Sequence, residues 1–290
     1  MFELFRAEWR KIMGNRLATA LLMLIFPVGA AAVLVLTILL ALLSSDFRTA
    51  VADSPPLWTD EFMFAWQVVN SEIGRLVVLV FAAVVFAGEY HWGTWKNIIP
   101  RRARVSLILV KFLAVAVFVL VSFTAMSVIT GIGSGIVVAI SGGHYGPALS
   151  GDVLTAFADS YLLQAATAFT SALIACGYTA LAAILTRSIT GSAVVGIVIT
   201  FAELVILLGL GLASVLLKAP WLPNGYLLTP GYNLSNISQW ASEGVGYSVG
   251  IGTGPIGPLS LTASLVLIAV WVVGLIATTT LIFRRQDIIS

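Results

Sequence analysis

The side chains able to carry covalent chemistry are few and poorly placed for it. The chain has two histidines, His91 and His144, and a single cysteine, Cys176. Ser134 stands among small residues in Ile132-Gly133-Ser134-Gly135, but a serine nucleophile needs a base within hydrogen-bond reach. His91 and His144 fall in predicted loops on opposite sides of a membrane, so neither serves it. No cluster of His, Cys or carboxylates has ligand spacing, so no metal site is expected, and a lone cysteine builds no disulfide framework. The sequence assigns no catalytic residue and disfavours a membrane-embedded enzyme.

Three charges in apolar surroundings are better candidates. Glu203 lies 15 residues beyond Ser188 in an apolar run, at a depth where an ionised group costs at least ~2.5–3.5 kcal/mol. Arg75 is followed by 13 uncharged residues, the last of them Gly88, which gives it a similar depth. Glu72, three residues earlier, competes for Arg75 on the same predicted helix. Glu203 is expected to pair with Arg75 or with a polar group near it, either structurally or beside a transport route. A neutral, protonated Glu203 fits equally.

Only a bilayer scaffold can position such residues. The 290 residues are 59% hydrophobic and 10% charged, where soluble chains carry roughly 25% charge. In hydrocarbon every backbone N–H and C=O must be paired within its own segment, so apolar runs of about 20 residues become helices. An all-α integral membrane protein is predicted, with six spans near 17–43, 64–88, 107–137, 160–185, 189–217 and 259–283 in a single domain. The first run holds 27 uncharged residues, too long for a signal-peptide core, and is expected to stay as a helix. Pro27 and Pro100 read as kinks or breaks. Small residues such as Gly131, Gly133 and Gly135 read as sites of close helix approach.

The cations set orientation, because Lys and Arg are retained on the cytoplasmic side of short loops. Arg6, Arg10, Lys11, Arg16, Lys96, Arg101, Arg102, Arg104, Lys111, Arg187, Arg284 and Arg285 fall on one side, with Arg48 and Lys218 on the other. Both termini are therefore predicted to be cytoplasmic, in a multi-pass protein of the plasma membrane. The net charge of +2 gives no reason to invoke nucleic acid. Phe2, Phe5, Trp9, Ile12 and Met13 share one arc of a helical wheel, so residues 1–16 are predicted to form an interfacial helix on the lipid bilayer. The outer segment 218–258 carries Trp221, Tyr226, Tyr232, Trp240 and Tyr247, and reads as short re-entrant or surface helices, or else as an ordinary interfacial loop. Asn233-Leu234-Ser235 and Asn236-Ile237-Ser238 within it match the N-glycosylation pattern.

Between the second and third spans runs Gly88-Glu89-Tyr90-His91-Trp92-Gly93-Thr94-Trp95-Lys96-Asn97-Ile98-Ile99-Pro100-Arg101-Arg102-Ala103-Arg104, with Lys111 beyond it. Gly93 permits a sharp turn, and Trp92 and Trp95 offer rigid area that either anchors a protein contact or floats at the headgroups. The order acid, Gly-Thr, Pro, Arg, then Lys on the next helix resembles the permeases of type-2 ATP-binding-cassette exporters, as does the layout of the whole chain. The resemblance implies that 89–104 is a coupling loop docking on an ATPase, through Glu89, Trp92, Gly93, Thr94, Trp95, Lys96, Pro100 and Arg101. It also implies assembly of two permeases, identical or paralogous, with two ATPase subunits, and a pathway lined by the second and fifth spans, near Arg75, Glu72 and Glu203. No G-x-x-x-x-G-K-[ST] phosphate loop occurs in the sequence, so ATP and Mg are assigned to the partner and no cofactor to this chain. The expected function is outward movement of a hydrophobic or amphiphilic substrate. An ion- or proton-coupled carrier using Glu203 and Arg75 stays open as the alternative.

Overall fold

The computed structural model describes residues 2–95, 103–251 and 254–287. Its helices are α1 (Phe2–Gly14), α2 (Arg16–Leu43), α3 (Ser45–Asp53), α4 (Trp58–Asn70), α5 (Glu72–His91), α6 (Arg104–Ser141), α7 (Gly151–Thr186), α8 (Ile189–Leu216), α9 (Pro230–Glu243) and α10 (Leu261–Arg285). A 3-10 turn covers Leu222–Leu228, and strands β1 (Val249–Ile251) and β2 (Gly254–Ile256) pair antiparallel. Among the described residues, α2, α5, α6, α7, α8 and α10 are long and apolar enough to cross a membrane. The chain is a multi-pass, helical membrane protein.

Two compact units divide the chain. The first holds Arg6–Phe81 and Ala114–Phe169; the second holds Met1–Phe5, Ala82–Leu113 and Thr170–Ser290.

In the first unit, the predicted span 64–88 is two helices that meet at Ser71. Its backbone N–H closes α4 on the Gln67 carbonyl, while its hydroxyl accepts from the Gly74 N–H and so caps α5. Glu72 then occupies the positive end of the new helix. A Cβ on Gly74 would stand 1.9 Å from the Val68 carbonyl, so the tight reversal admits no side chain there. The 13-residue gap between Arg75 and Glu89 was too short for a span because α5 needs its first turn, charges included, to reach about 30 Å.

Pro27 has a similarly local effect. It lies in a π-helical stretch, Ala20–Val28, of α2. In that i→i−5 register a residue at 27 would donate to the Leu22 carbonyl, and proline has no N–H. Ser122 of α6, itself buried, donates its hydroxyl to that carbonyl instead. Nearby, Phe123 packs on Phe26 and Trp66. The glycines of α6 each admit a neighbour: Gly131 the Phe62 ring, Gly133 the Leu34 side chain and Gly135 the Tyr145 ring. Helix α4 is then stitched to α6 by Ser127 on the Phe62 carbonyl at 2.6 Å, Thr130 on the Glu61 carbonyl at 2.8 Å and Ser134 on the Glu61 carboxylate at 2.7 Å. The hydroxyl of Ser134 is thus a packing donor. Burial, then the Glu61 charge, push the Tyr145 phenol up to about 12, and its hydroxyl donates to the Gly131 carbonyl. Helix α1 lies within the stretch expected to be an interfacial helix; in it Ile12 is buried and Trp9 stacks on Phe118 at 4.0 Å, leaving Phe2 and Met13 exposed.

In the second unit, α8 has an inverted face. Its buried residues are Ser192, Gly196, Thr200, Gly211 and Ser214, while Val198, Leu204, Leu208 and Leu212 are exposed. Lipid tails are as apolar as leucine, so small residues gain from close packing and large ones face out. The segment after α8 packs back along α10. The Trp271 indole donates to the Leu228 carbonyl at 2.8 Å, and Trp271 lies ten residues into α10, roughly 15 Å below its start. Helix α9 climbs back along α10, where Asn236 bonds Ser264 and the Leu259 carbonyl, and Trp240 bonds the same carbonyl. Asn233 and Asn236, the two glycosylation matches, are fully buried, with their side-chain amides donating inside the fold. The pairing of β1 with β2 was not foreseen from the sequence, since three glycines in so short a stretch obscure strand alternation.

Ser122→Ala is expected to destabilise the protein in detergent by about 1 kcal/mol, the cost of an orphaned carbonyl. In a Pro27→Ala background, where an N–H returns, the same substitution should cost markedly less. Thermal unfolding of the four proteins of this double-mutant cycle checks it.

Candidate functional site

The end of α5 is built by a chain reversal. Gly93 adopts φ +64°, a left-handed conformation that other residues reach at a cost of roughly 1–2 kcal/mol. Its N–H bonds the Tyr90 carbonyl, and the next N–H, of Thr94, bonds the Glu89 carbonyl. This is the paired hydrogen bonding of a Schellman helix end. The reversal carries Thr94 back over the helix, where its hydroxyl donates to the Glu89 carboxylate. Trp95 follows into the interior, 2% exposed, while Trp92 stays 51% exposed with its ring over Gly88.

The other oxygen of Glu89 accepts from Lys111 at 3.2 Å, and both side chains are almost fully buried, 1% and 2% exposed. Lys111 also donates to the Val85 carbonyl at 3.0 Å and lies 5.7 Å from the centre of the Trp95 ring. A buried ion pair survives desolvation only when its remaining hydrogen-bond capacity is filled. Thr94, Val85 and the indole face do that here.

Around this pair the ends of four helices are lashed together. Trp95 packs on Phe283 of α10 at 4.6 Å and on Tyr90 at 5.7 Å. The Tyr90 hydroxyl donates to Gln286 at 2.7 Å, and Gln286 donates to the Ile184 carbonyl of α7 at 2.6 Å. Arg104, at the start of α6, bonds the carbonyls of Phe283, Arg284 and Gln286, a cation on the negative end of α10. Arg187 reaches the Asp287 carbonyl at 3.4 Å.

Glu89, Gly93, Thr94 and Trp95 of the predicted coupling set therefore come together, but facing inward. Of the two predicted tryptophan anchors, Trp92 keeps half its surface exposed, and Trp95 is spent on the chain's own core. Lys96, Pro100 and Arg101 lie outside the described residues. Lys111, read from sequence as one of the cytoplasmic-side cations and as part of the resemblance, proves to be the centre. Tyr90, Arg104 and Gln286 were missed. The signal for Lys111 was a lysine seven residues into an apolar helix, opposite an acid at the end of the preceding one.

In the middle of α8, Glu203 accepts from the Tyr178 hydroxyl at 2.6 Å, and Tyr178 meets Trp271 edge-on at 5.9 Å. Glu203 is 14 residues into α8 of 28, at mid-helix. Arg75 is in the first turn of α5 and donates to Asn70, the last residue of α4, at 3.1 Å; Glu72 opens the same helix.

Among the described residues no group of three or more His, Cys, Asp or Glu could hold a metal ion. Comparison with protein-family models and with curated proteins found no match.

Lys111→Met should cost ~3–5 kcal/mol, because Glu89 stays buried without its cation. The double variant Glu89→Gln, Lys111→Met should recover much of that loss, as read by thermal unfolding in detergent.

Proposed function

We propose that the chain is the membrane-spanning subunit of an exporter driven by a separate ATP-binding-cassette ATPase, as its likeness to type-2 permeases implies. The observation that carries this reading is the lashed end of α5. A loop that receives a push must be fastened to the elements it moves. Glu89 fastens this one to α6 through Lys111, and Tyr90 fastens it to α7 and α10 through Gln286. Trp92 projects from the same turn with half its surface free, the kind of residue that dominates protein interfaces.

In this reading the cation-rich helix ends face the cytosol of a cell whose plasma membrane holds the protein, with both termini inside. Closure of two ATPase subunits, which bind ATP and Mg, presses on Trp92 and the following loop. The fastened ends of α5, α6, α7 and α10 respond together, biasing a pair of permease subunits, identical or paralogous, from inward-open to outward-open. The substrate is hydrophobic or amphiphilic and passes near Glu203, with Arg75 and Glu72 as further pathway candidates.

A proton- or ion-coupled carrier is the second reading, favoured by the carboxylate of Glu203 held by Tyr178 at mid-helix. The two are separated by purifying the tagged chain from its native membrane. An ATP-hydrolysing partner should accompany it in fixed stoichiometry, and Trp92→Ala should weaken that complex about 30-fold, the effect of a ~2 kcal/mol interface anchor. Purification free of any ATPase, with efflux abolished by dissipating the proton gradient, would establish the carrier instead.

A further inference from the structure

A groove of about 420 Å³ runs between the start of α6 and the last turns of α10. Val105 and Leu109 form one wall, one helical turn apart, and Val273, Ala277 and Leu281 form the other. Arg284 closes one end, and no carboxylate is among the lining residues. From Val273 to Arg284 the stripe covers 11 residues of helix, roughly 16 Å at 1.5 Å per residue. That is close to one leaflet's share of a ~30 Å hydrocarbon layer.

The charge at the end is available. Arg104 spends its guanidinium on the carbonyls at the end of α10, but the Arg284 side chain is exposed and has no hydrogen-bond or ion-pair partner among the described residues. Arg285 adds a second cation to the same last turn. A cation set beyond the polar end of an apolar groove, at leaflet depth, matches an acyl chain below an anionic headgroup.

We propose that this groove is a binding site for one anionic phospholipid, whose phosphate meets Arg284 and whose acyl chain lies along Ala277 and Leu109. The groove joins the two helices that Arg104 ties together, so an occupant would brace the lashed helix ends from outside. Binding requires no ATPase and so stands apart from the exporter reading.

The test is native mass spectrometry of the purified chain in detergent, titrated with dioleoyl phosphatidylglycerol or with the matching phosphatidylcholine. The site predicts one tightly retained phosphatidylglycerol, weakened about five-fold in Arg284→Gln, the effect of one cation at a headgroup. Ala277→Phe, at an exposed position, should fill the groove and abolish the retained lipid while the protein stays folded. Arg16→Gln, an exposed cation elsewhere, should change nothing. Equal loss in Arg16→Gln would reduce the effect to general charge attraction and overturn the site. So would a Ala277→Phe variant that keeps its lipid, or one that loses a dimer while keeping it, which would make the groove a face between copies.

Discussion

An ammonium and a carboxylate removed from water must find each other, and their remaining hydrogen-bond capacity must be filled nearby. The Glu89–Lys111 pair meets both conditions, and the surrounding geometry can be read as the means of meeting them. The left-handed Gly93 exists so that the chain can double back; the doubling back brings Thr94 to the carboxylate and Trp95 over the ammonium. Trp95 then becomes part of the hydrophobic contact with Phe283. One electrostatic requirement thereby ties the end of α5 to α6 and, through aromatic packing, to α10.

The same logic recurs at lower stakes in the first unit. Where Pro27 removes a donor, Ser122 supplies one; where α4 abuts α6, hydroxyls of Ser127, Thr130 and Ser134 reach the carbonyls and carboxylate that face them. With no water to complete a hydrogen bond in hydrocarbon, each departure from regular helix needs a named partner. The segment between α8 and α10 is the largest such departure. Trp271, Asn233 and Asn236 cap its carbonyls, which explains why asparagines that match a modification pattern are buried.

Six apolar spans were legible because bilayer thickness fixes the length of the run. The cluster around Glu89 was legible as a motif, and its interior as less. Trp92 and Trp95 look alike in a sequence, and only the direction of the chain after Gly93 makes one a surface residue and the other core. Arg104, Tyr90 and Gln286 carry no local signal, since each acts across 100 or more residues of chain. Glu203 was legible as an anomaly, but its partner Tyr178 was not, because a tyrosine in an apolar helix reads as ordinary packing. The break at Ser71 was visible only as a shortage of uncharged residues.

The account depends on the lashed helix ends facing the cytosol and offering Trp92 to a motor there. A single cysteine at position 92, with Cys176 replaced by alanine, can be treated with a membrane-impermeant maleimide in oriented vesicles. The account predicts reaction in inside-out vesicles and protection in right-side-out ones. Reaction from the outer side would contradict it.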